Sequence, residues 1–362
     1  VLSLAQAAKS YDIGFTIDAE EADRLDLSLD IIEAVFGDPS LADWNGFGLA
    51  VQAYLKRAPL VIDWLHNLAK KHQRRIMVRL GKGAYWDSEI KHSQKQGLNG
   101  YPVFTRKVNT DLSYLLCAEK LMAYRDFIYP QFATHNAYTA ALVLQLGGDM
   151  TDNYEFQRLH GMGDTLFNQI VQQEQVRCRI YAPVGEHQDL LAYLVRRLLE
   201  NGANSSFVNA IVDESISLET LLADPVEIVQ QQDTYHHPLI PMPADLYGVE
   251  RKNSVGIELA DPEEIQPLLK QMAAWFDKIK AESQAVPEHA IAMTNPAKQS
   301  EILGYITHHT PEQMQQLVTN SHNAFVGWSA TSATDRGNCI RKLADLLEQN
   351  MPELMAICTK EA

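Results

Sequence analysis

Between Asp12 and Pro183 the chain repeats one theme six times: a short apolar, β-prone run followed by a helical stretch. The runs are "IGFTIDA", "GFGLAVQAY", "RRIMVRLGKGAY", "YPQFATHNA", "YEFQRLHGMG" and "RCRIYAPVG". Strands separated by helix-length segments are joined by crossovers rather than hairpins, and so run parallel. Each run ends in polar or glycine residues: Asp18, Gln52, Arg79 with Lys82, Thr134 with His135 and Asn136, Gln157 with His160, and Tyr181. The carboxyl ends of parallel strands are where a (β/α) barrel keeps its chemistry. An open doubly wound sheet needs a glycine-rich phosphate loop after its first strand, and "IDAEEAD" has no glycine. The fold class is therefore read as α/β, an incomplete (β/α)8 barrel. A closed barrel has eight strands in about 250 residues, so the two strands beyond these six are expected upstream of Val1. The opening "VLSLAQAAKSYD" begins in mid-helix without a methionine, which fits a piece of a longer chain.

A chain of 362 residues, 46% of them hydrophobic, is long enough for more than one core. Residues 1–225 are assigned to the barrel. Residues 226–292 are assigned to a linker or wrap, because "QQQDTYHHPLIPMPADLYGVERKNSVG" is rich in proline and polar residues and has no sustained period. Residues 293–362 form a further module, in which Thr310, Pro311 and Glu312 make a good helix start. The formal charge of −15 argues against a nucleic-acid partner, which wants a concentrated cationic face. Cys117, Cys178, Cys339 and Cys358 show no CxxC spacing, and reduced thiols in a cytoplasmic protein are the plain reading. No apolar run reaches the roughly 18 residues of a membrane helix. The "GKG" at Gly81 to Gly83 is not a triphosphate loop: the Walker pattern would need glycine at Ile76 and Ser or Thr at Gly83. His236 with His237, and His308 with His309, lack chelating spacing, so no metal is expected.

The stretch "YLVRRLLENGANSSFVN", from Tyr193 to Asn209, places Arg196 beside Arg197 on a leucine-rich helix. Neighbours on a helix point about 100 degrees apart, so both cannot lie on the outer face of a helix packed by Leu194, Leu198 and Leu199. Guanidinium forks match carboxylates with charge-assisted bonds worth about 1.5 to 3 kcal/mol each where water is excluded. The pair suits a small carboxylic acid such as an amino acid.

Taken together, "YLVRRLLENGANSSFVN", "MVRLGKGAYWDSEI", "GYPVFTRK", "PQFATHNA", "EFQRLHGMG" and "IYAPVGEH" resemble the proline dehydrogenase barrel of the bifunctional bacterial proline utilization A family. The resemblance spans nearly all of residues 10 to 225. It implies FAD at the strand ends, hydride transfer from proline C5 to flavin N5, pyrroline-5-carboxylate as product, and a quinone as electron acceptor. By resemblance Arg196 and Arg197 grip the proline carboxylate, Tyr181 and Tyr193 shape the pocket with Leu80, Asp18 is the pocket acid, and Arg79 lies beside N5. Gln52, Lys82, Gly83, Ala84 and Trp86 match positions along the isoalloxazine and its phosphates, and Thr105, Arg106 and Lys107 those of the pyrophosphate and adenosine. Thr134, His135, Asn136, Gln157 and Leu159 continue the groove, with Glu200, Ser206 and Phe207 at the adenine end.

Singly, Trp86 reads as a core aromatic, His135 as a structural histidine, Asp18 and Glu200 as ion-pair partners and Lys107 as surface charge. Joint placement at consecutive strand ends is what favours a site. The stretches "NPAKQSEILGYI" and "ATDRGNCIRKLADLLEQNMPELMAICTKEA" resemble the opening of an aldehyde dehydrogenase. In the same family that module oxidises glutamate semialdehyde with NAD, but its dinucleotide strands and nucleophilic cysteine are not in this chain. The family barrel also draws a lysine and a glutamate from the two strands not seen, so weak turnover and poor FAD retention are expected of this segment alone. Peripheral membrane association and oligomerisation of the parent are compatible with the resemblance. The alternatives are a flavin-free barrel enzyme acting on a small carboxylate, such as an aldolase, and a non-catalytic assembly segment.

Overall fold

The computed structural model describes residues 1–202, 217–282 and 290–362. They form two compact units, 1–260 and 261–362. In the first, helix α1 (Leu2–Ser10) precedes β1 (Phe15–Ile17), α2 (Leu25–Phe36), β2 (Phe47–Gln52), α3 (Ala58–Lys71) and β3 (Ile76–Gly81). Then come α4 (Trp86–Gln96), α5 (Lys107–Ala123), β4 (Ile128–Ala133), α6 (Ala137–Gly147), β5 (Glu155–Leu159), α7 (Asp164–Gln169), β6 (Arg177–Tyr181) and α8 (His187–Gly202). All six expected strands are present. They pair in parallel in the order β1-β2-β3-β4-β5-β6. A doubly wound sheet would reverse its order at a switch point. Strict sequential order is instead the wall of a barrel, here six strands of it.

Burial explains both the strands and their facing. In β3, Ile76, Val78 and Leu80 are fully buried, while Met77, Arg79 and Gly81 are half-buried. Side chains alternate across a strand, so Arg79 points to the opposite face from Val78 and Leu80. In β2 almost every residue is buried, as expected where both faces of a parallel strand are covered. Helix α3 presents Val61, Ile62, Leu65, Leu68 and Ala69 at helical spacing to this sheet and ends in Lys70 and Lys71, which complement its dipole. Phe132, Tyr154, Phe156 and Phe167 make a tilted and edge-to-face cluster behind β4 and β5. Burial of each contributes about 1.5 to 3 kcal/mol.

The proline-rich stretch after α8 runs over α4 and α5. Tyr101 donates to the Pro241 carbonyl at 2.6 Å, Asn253 Nδ2 to the Gln94 carbonyl at 2.8 Å, and Gly256 N to the Gly97 carbonyl at 3.0 Å. Gly97 ends α4 in the left-handed region at φ 64°, and a Cβ there would strike the Ser254 carbonyl. Glycine is required at that position on both counts.

In the second unit a helix, Pro262–Glu282, is followed by an antiparallel hairpin of β7 (Ile291–Asn295) and β8 (Lys298–Ile306) and by helices Pro311–Ala330, Ala333–Gln349 and Met351–Glu361. The Thr310 start is a full capping box: Thr310 accepts from Gln313 N while Gln313 reaches back to Thr310 N at 2.8 Å. The hairpin is not evident from its sequence pattern. Its turn is built by Asn295, whose Oδ1 accepts from Ala297 N at 2.9 Å. Among the described residues no helix is long and apolar enough to cross a membrane.

Candidate active site

The register places several of the singled-out residues at one level. Ala50, Arg79 and Gln131 are neighbours across β2, β3 and β4, and Gln52 lies beside Gly81, Ala133 beside Gln157, and Leu159 beside Tyr181. From this edge the Arg79 guanidinium donates to the Asp18 carboxylate in the loop after β1. The same guanidinium carbon lies 5.8 Å from the centre of the Tyr181 ring at the end of β6. Residues from the first, third and sixth strands thus form one group. Leu80, next to Arg79, faces the other way and is completely buried in the core.

Helix α8 adds the arginine pair. Arg196 lies 5.0 Å from the centre of the Tyr85 ring, in the loop after β3, and Arg197 lies 5.4 Å from that of Tyr193. Both arginines are half-buried, whereas Leu191 and Leu194 are exposed. Leu194 does not pack the inner face as the helical pattern suggested; the aromatic rings shelter the arginines instead. The Tyr85 hydroxyl donates to Glu20 Oε2 at 2.6 Å. Burial and that bond push its phenol up to about 12, against the opposing pull of Arg196. His135 is held below its ordinary value by burial, by Arg197 and by Arg158, so it is neutral at physiological pH. The arginine pair therefore adjoins two loops, with Arg196 at the β3 loop and the field of Arg197 on the β4 loop.

The remaining candidates line these loops. Gln52 bridges two of them, donating to the Glu20 carbonyl at 2.8 Å and accepting from Ala84 N at 3.0 Å. Gly83 has φ 151°, and a Cβ there would come within 2.7 Å of three ring atoms of Tyr54. Lys82 and Lys107 share the Asp111 carboxylate, the latter at 3.1 Å. Trp86 Nε1 donates to the Phe104 carbonyl at 2.9 Å, and the ring stays partly exposed. Thr105 accepts from His237 N at 2.9 Å and Arg106 Nε donates to the His236 carbonyl at 3.1 Å, so the wrapping stretch already holds both. Thr134 accepts from Asn136 N, and Asn136 caps α6 through Thr139 N, each at 3.1 Å. Leu159 N donates to His135 Nε2 at a long 3.5 Å, and Gln157 donates to Glu155 at 2.9 Å. The Glu200 side chain, Ser206 and Phe207 lie outside the described residues.

Glu20 and Asp111, absent from the sequence-based set, prove to be the partners of Tyr85 and of the two lysines. Nothing in "DAEEAD" or "NTDLS" separates them from solvated carboxylates. Chemically the edge offers two guanidiniums for a carboxylate, an Asp–Arg pair beside a phenol, and a glycine that keeps the β3 loop tight against Tyr54. Lys82, Arg106 and Lys107 supply cationic donors for phosphates, partly neutralised by Asp111. Such a donor set fits a flavin dinucleotide.

Residues 1–210 match the family described as "Proline dehydrogenase", and residues 281–362 match "Aldehyde dehydrogenase family". The chain is similar to the bifunctional protein PutA of Escherichia coli strain K12, at 49% identity over 99% of this chain and 29% of that protein. It is also similar to the PutA of Rhizobium meliloti, at 44% identity over 100% of this chain and 30% of that protein. A crystal structure of a Bradyrhizobium japonicum proline utilization A mutant superposes with a TM-score of 0.83, at 47% identity over 98% of this chain and 33% of that one. The chain thus spans under a third of the length of these curated relatives.

Proposed function

The chain belongs to the proline dehydrogenase family, and we propose that it carries the FAD-dependent site at which its parent protein oxidises L-proline to pyrroline-5-carboxylate. The observation that carries this reading is the convergence of Asp18, Arg79 and Tyr181, with Arg196 and Arg197 sheltered on Tyr85 and Tyr193. Arg196 and Arg197 bind the proline carboxylate. Asp18, Tyr181 and Tyr193 shape the space for its ring, and Leu80, facing the core, acts only by holding β3 in place. FAD, when bound, supplies the acceptor for the C5 hydride, while the ring nitrogen of proline gives up a proton. Arg79 carries a fixed positive charge to the strand ends, where it stabilises negative charge as it develops.

Lys82, Thr105, Arg106 and Lys107 would hold the cofactor's phosphates. Gln52, Gly83, Ala84 and Trp86 would flank its ring system, and Thr134, His135, Asn136, Gln157 and Leu159 would continue the groove toward Glu200, Ser206 and Phe207. Electrons pass to a quinone in this reading. The parent oxidises glutamate semialdehyde with NAD in a second module begun by residues 293–362, after a barrel of residues 1–225 and a linker of residues 226–292. A cytoplasmic protein that meets the membrane peripherally, and that forms oligomers, accords with a quinone partner and with such an assembly.

The test is anaerobic addition of proline to the purified protein carrying its full chain. Loss of flavin absorbance with one pyrroline-5-carboxylate formed per flavin is expected. A colourless protein, or a flavin untouched by proline, would end the reading.

A further inference from the structure

The loop from Asp18 to Arg24 carries the pocket acid and follows β1, a strand of only three residues. A contact from a distant element ties that loop down. Glu89, in the first turn of α4, does so: its side chain accepts from Ala22 N at 2.7 Å across 67 positions of sequence, and Glu89 is 4% exposed. Ala22 opens a single 3-10 turn, so its N–H has no partner within that turn. The same turn of α4 begins at Tyr85, whose carbonyl accepts from Glu89 N at 2.9 Å and whose hydroxyl binds Glu20. Thus α4 grips the loop at Glu20 and Ala22, either side of Glu21, while Asp18 four residues earlier meets Arg79.

Burying a carboxyl is costly where a leucine of similar reach would pack for nothing. A buried acid with one backbone donor is therefore better explained by orientation than by stability. Burial first, then Asp23 and Glu21, push the Glu89 carboxyl upward against the pull of Ala22 N and of His92. Tyr54, across from it on the β2 loop, feels its charge as well.

We propose that Glu89 is a positioning residue for proline oxidation: through Ala22 it sets the loop that presents Asp18 to Arg79 and Glu20 to Tyr85. The proposal rests on the functional reading above. The residue acts through an accepted hydrogen bond, so Glu89→Gln keeps the acceptor and Glu89→Ala removes it. Ala22→Pro removes the donor from the opposite end. That site tolerates proline, being the first position of a turn and preceded by Glu21 in an extended conformation at φ −63° and ψ 156°.

The experiment uses the full-chain flavoprotein and measures kcat and KM for proline, together with the calorimetric Kd of a non-oxidisable cyclic carboxylate isosteric with proline. Displacing a positioning loop by about an ångström typically costs up to a hundredfold. Glu89→Ala and Ala22→Pro should each raise KM and Kd about ten- to hundredfold by that reasoning, with flavin content unchanged and Glu89→Gln near the parent. The double variant Ala22→Pro/Glu89→Ala should be no worse than the worse single variant, since both break one bond. Additive losses, a Glu89→Gln as impaired as Glu89→Ala, or a Glu89→Ala with parental KM and Kd would overturn the positioning role. Should Glu89→Ala fail to fold, Ala22→Pro and Glu89→Gln decide the matter alone. A parent whose flavin ignores proline overturns the functional reading, and this proposal with it, and is recognised before any variant is made.

Discussion

Gly83 offers the sharpest test of how the candidate cofactor edge is built. A methyl added there would lie within 2.7 Å of Tyr54 Cγ, Cδ1 and Cδ2, and the backbone sits at φ 151°, where L side chains are rarely found. Tyr54 is itself 2% exposed and part of the core, so its ring has no free direction in which to retreat. Overpacking of this kind costs about 1 to 3 kcal/mol, and the backbone conformation adds about 1 to 3 kcal/mol for a non-glycine residue. Gly83→Ala should therefore destabilise the barrel by about 2 to 6 kcal/mol. At about 2 to 4 °C per kcal/mol for a unit of this size, its thermal transition falls by at least about 4 °C. If the loop yields instead of the ring, the neighbouring Lys82 and Ala84 N shift, and flavin is lost during purification. Differential scanning calorimetry and the flavin-to-protein absorbance ratio read the two responses separately. Repeating the change in a Tyr54→Ala background sorts the causes, since relief there assigns the loss to the ring and persistence assigns it to φ. A Gly83→Ala protein with the parental transition and full flavin would refute the reasoning.

Arg196→Met and Arg197→Met should each raise KM for proline about 10- to 150-fold, as loss of a charge-assisted bond of about 1.5 to 3 kcal/mol requires, with flavin retained; steady-state kinetics with parental KM would dismiss the carboxylate role. Asp111→Asn should release Lys82 and Lys107 from their shared carboxylate. The consequence expected is a changed FAD dissociation constant with little change in KM for proline, measured by titrating apoprotein. His135 binds its proton less readily folded than unfolded. The unfolded chain thus takes up more protons as pH falls below about 6.5, and stability declines from there down through the lowered folded value. His135→Gln should flatten that decline in a plot of transition temperature against pH, and an unchanged slope would show that His135 is not its source.

What the residues alone determined is what local pattern can carry. Six apolar runs at helix-length spacing required parallel strands, and polar residues at their ends located the chemistry. Thr310, Pro311 and Glu312 marked a helix start in adjacent positions, and the reciprocal partner that completes its capping box, Gln313, is only three residues from Thr310. Tertiary structure decided which charges meet. Asp18 and Arg79 are 61 positions apart, Glu20 and Tyr85 65, and Ala22 and Glu89 67. Such pairs form only once the register of β1, β2 and β3 has set the loops side by side. Periodicity is a property of neighbours along a chain, so it reveals which face is buried but not which distant carboxylate waits there. The same limit explains Leu194, whose helical spacing marks it as apolar filling and whose side chain is 41% exposed: amphipathic pattern ranks the faces of a helix, and only the packed barrel says what each face meets.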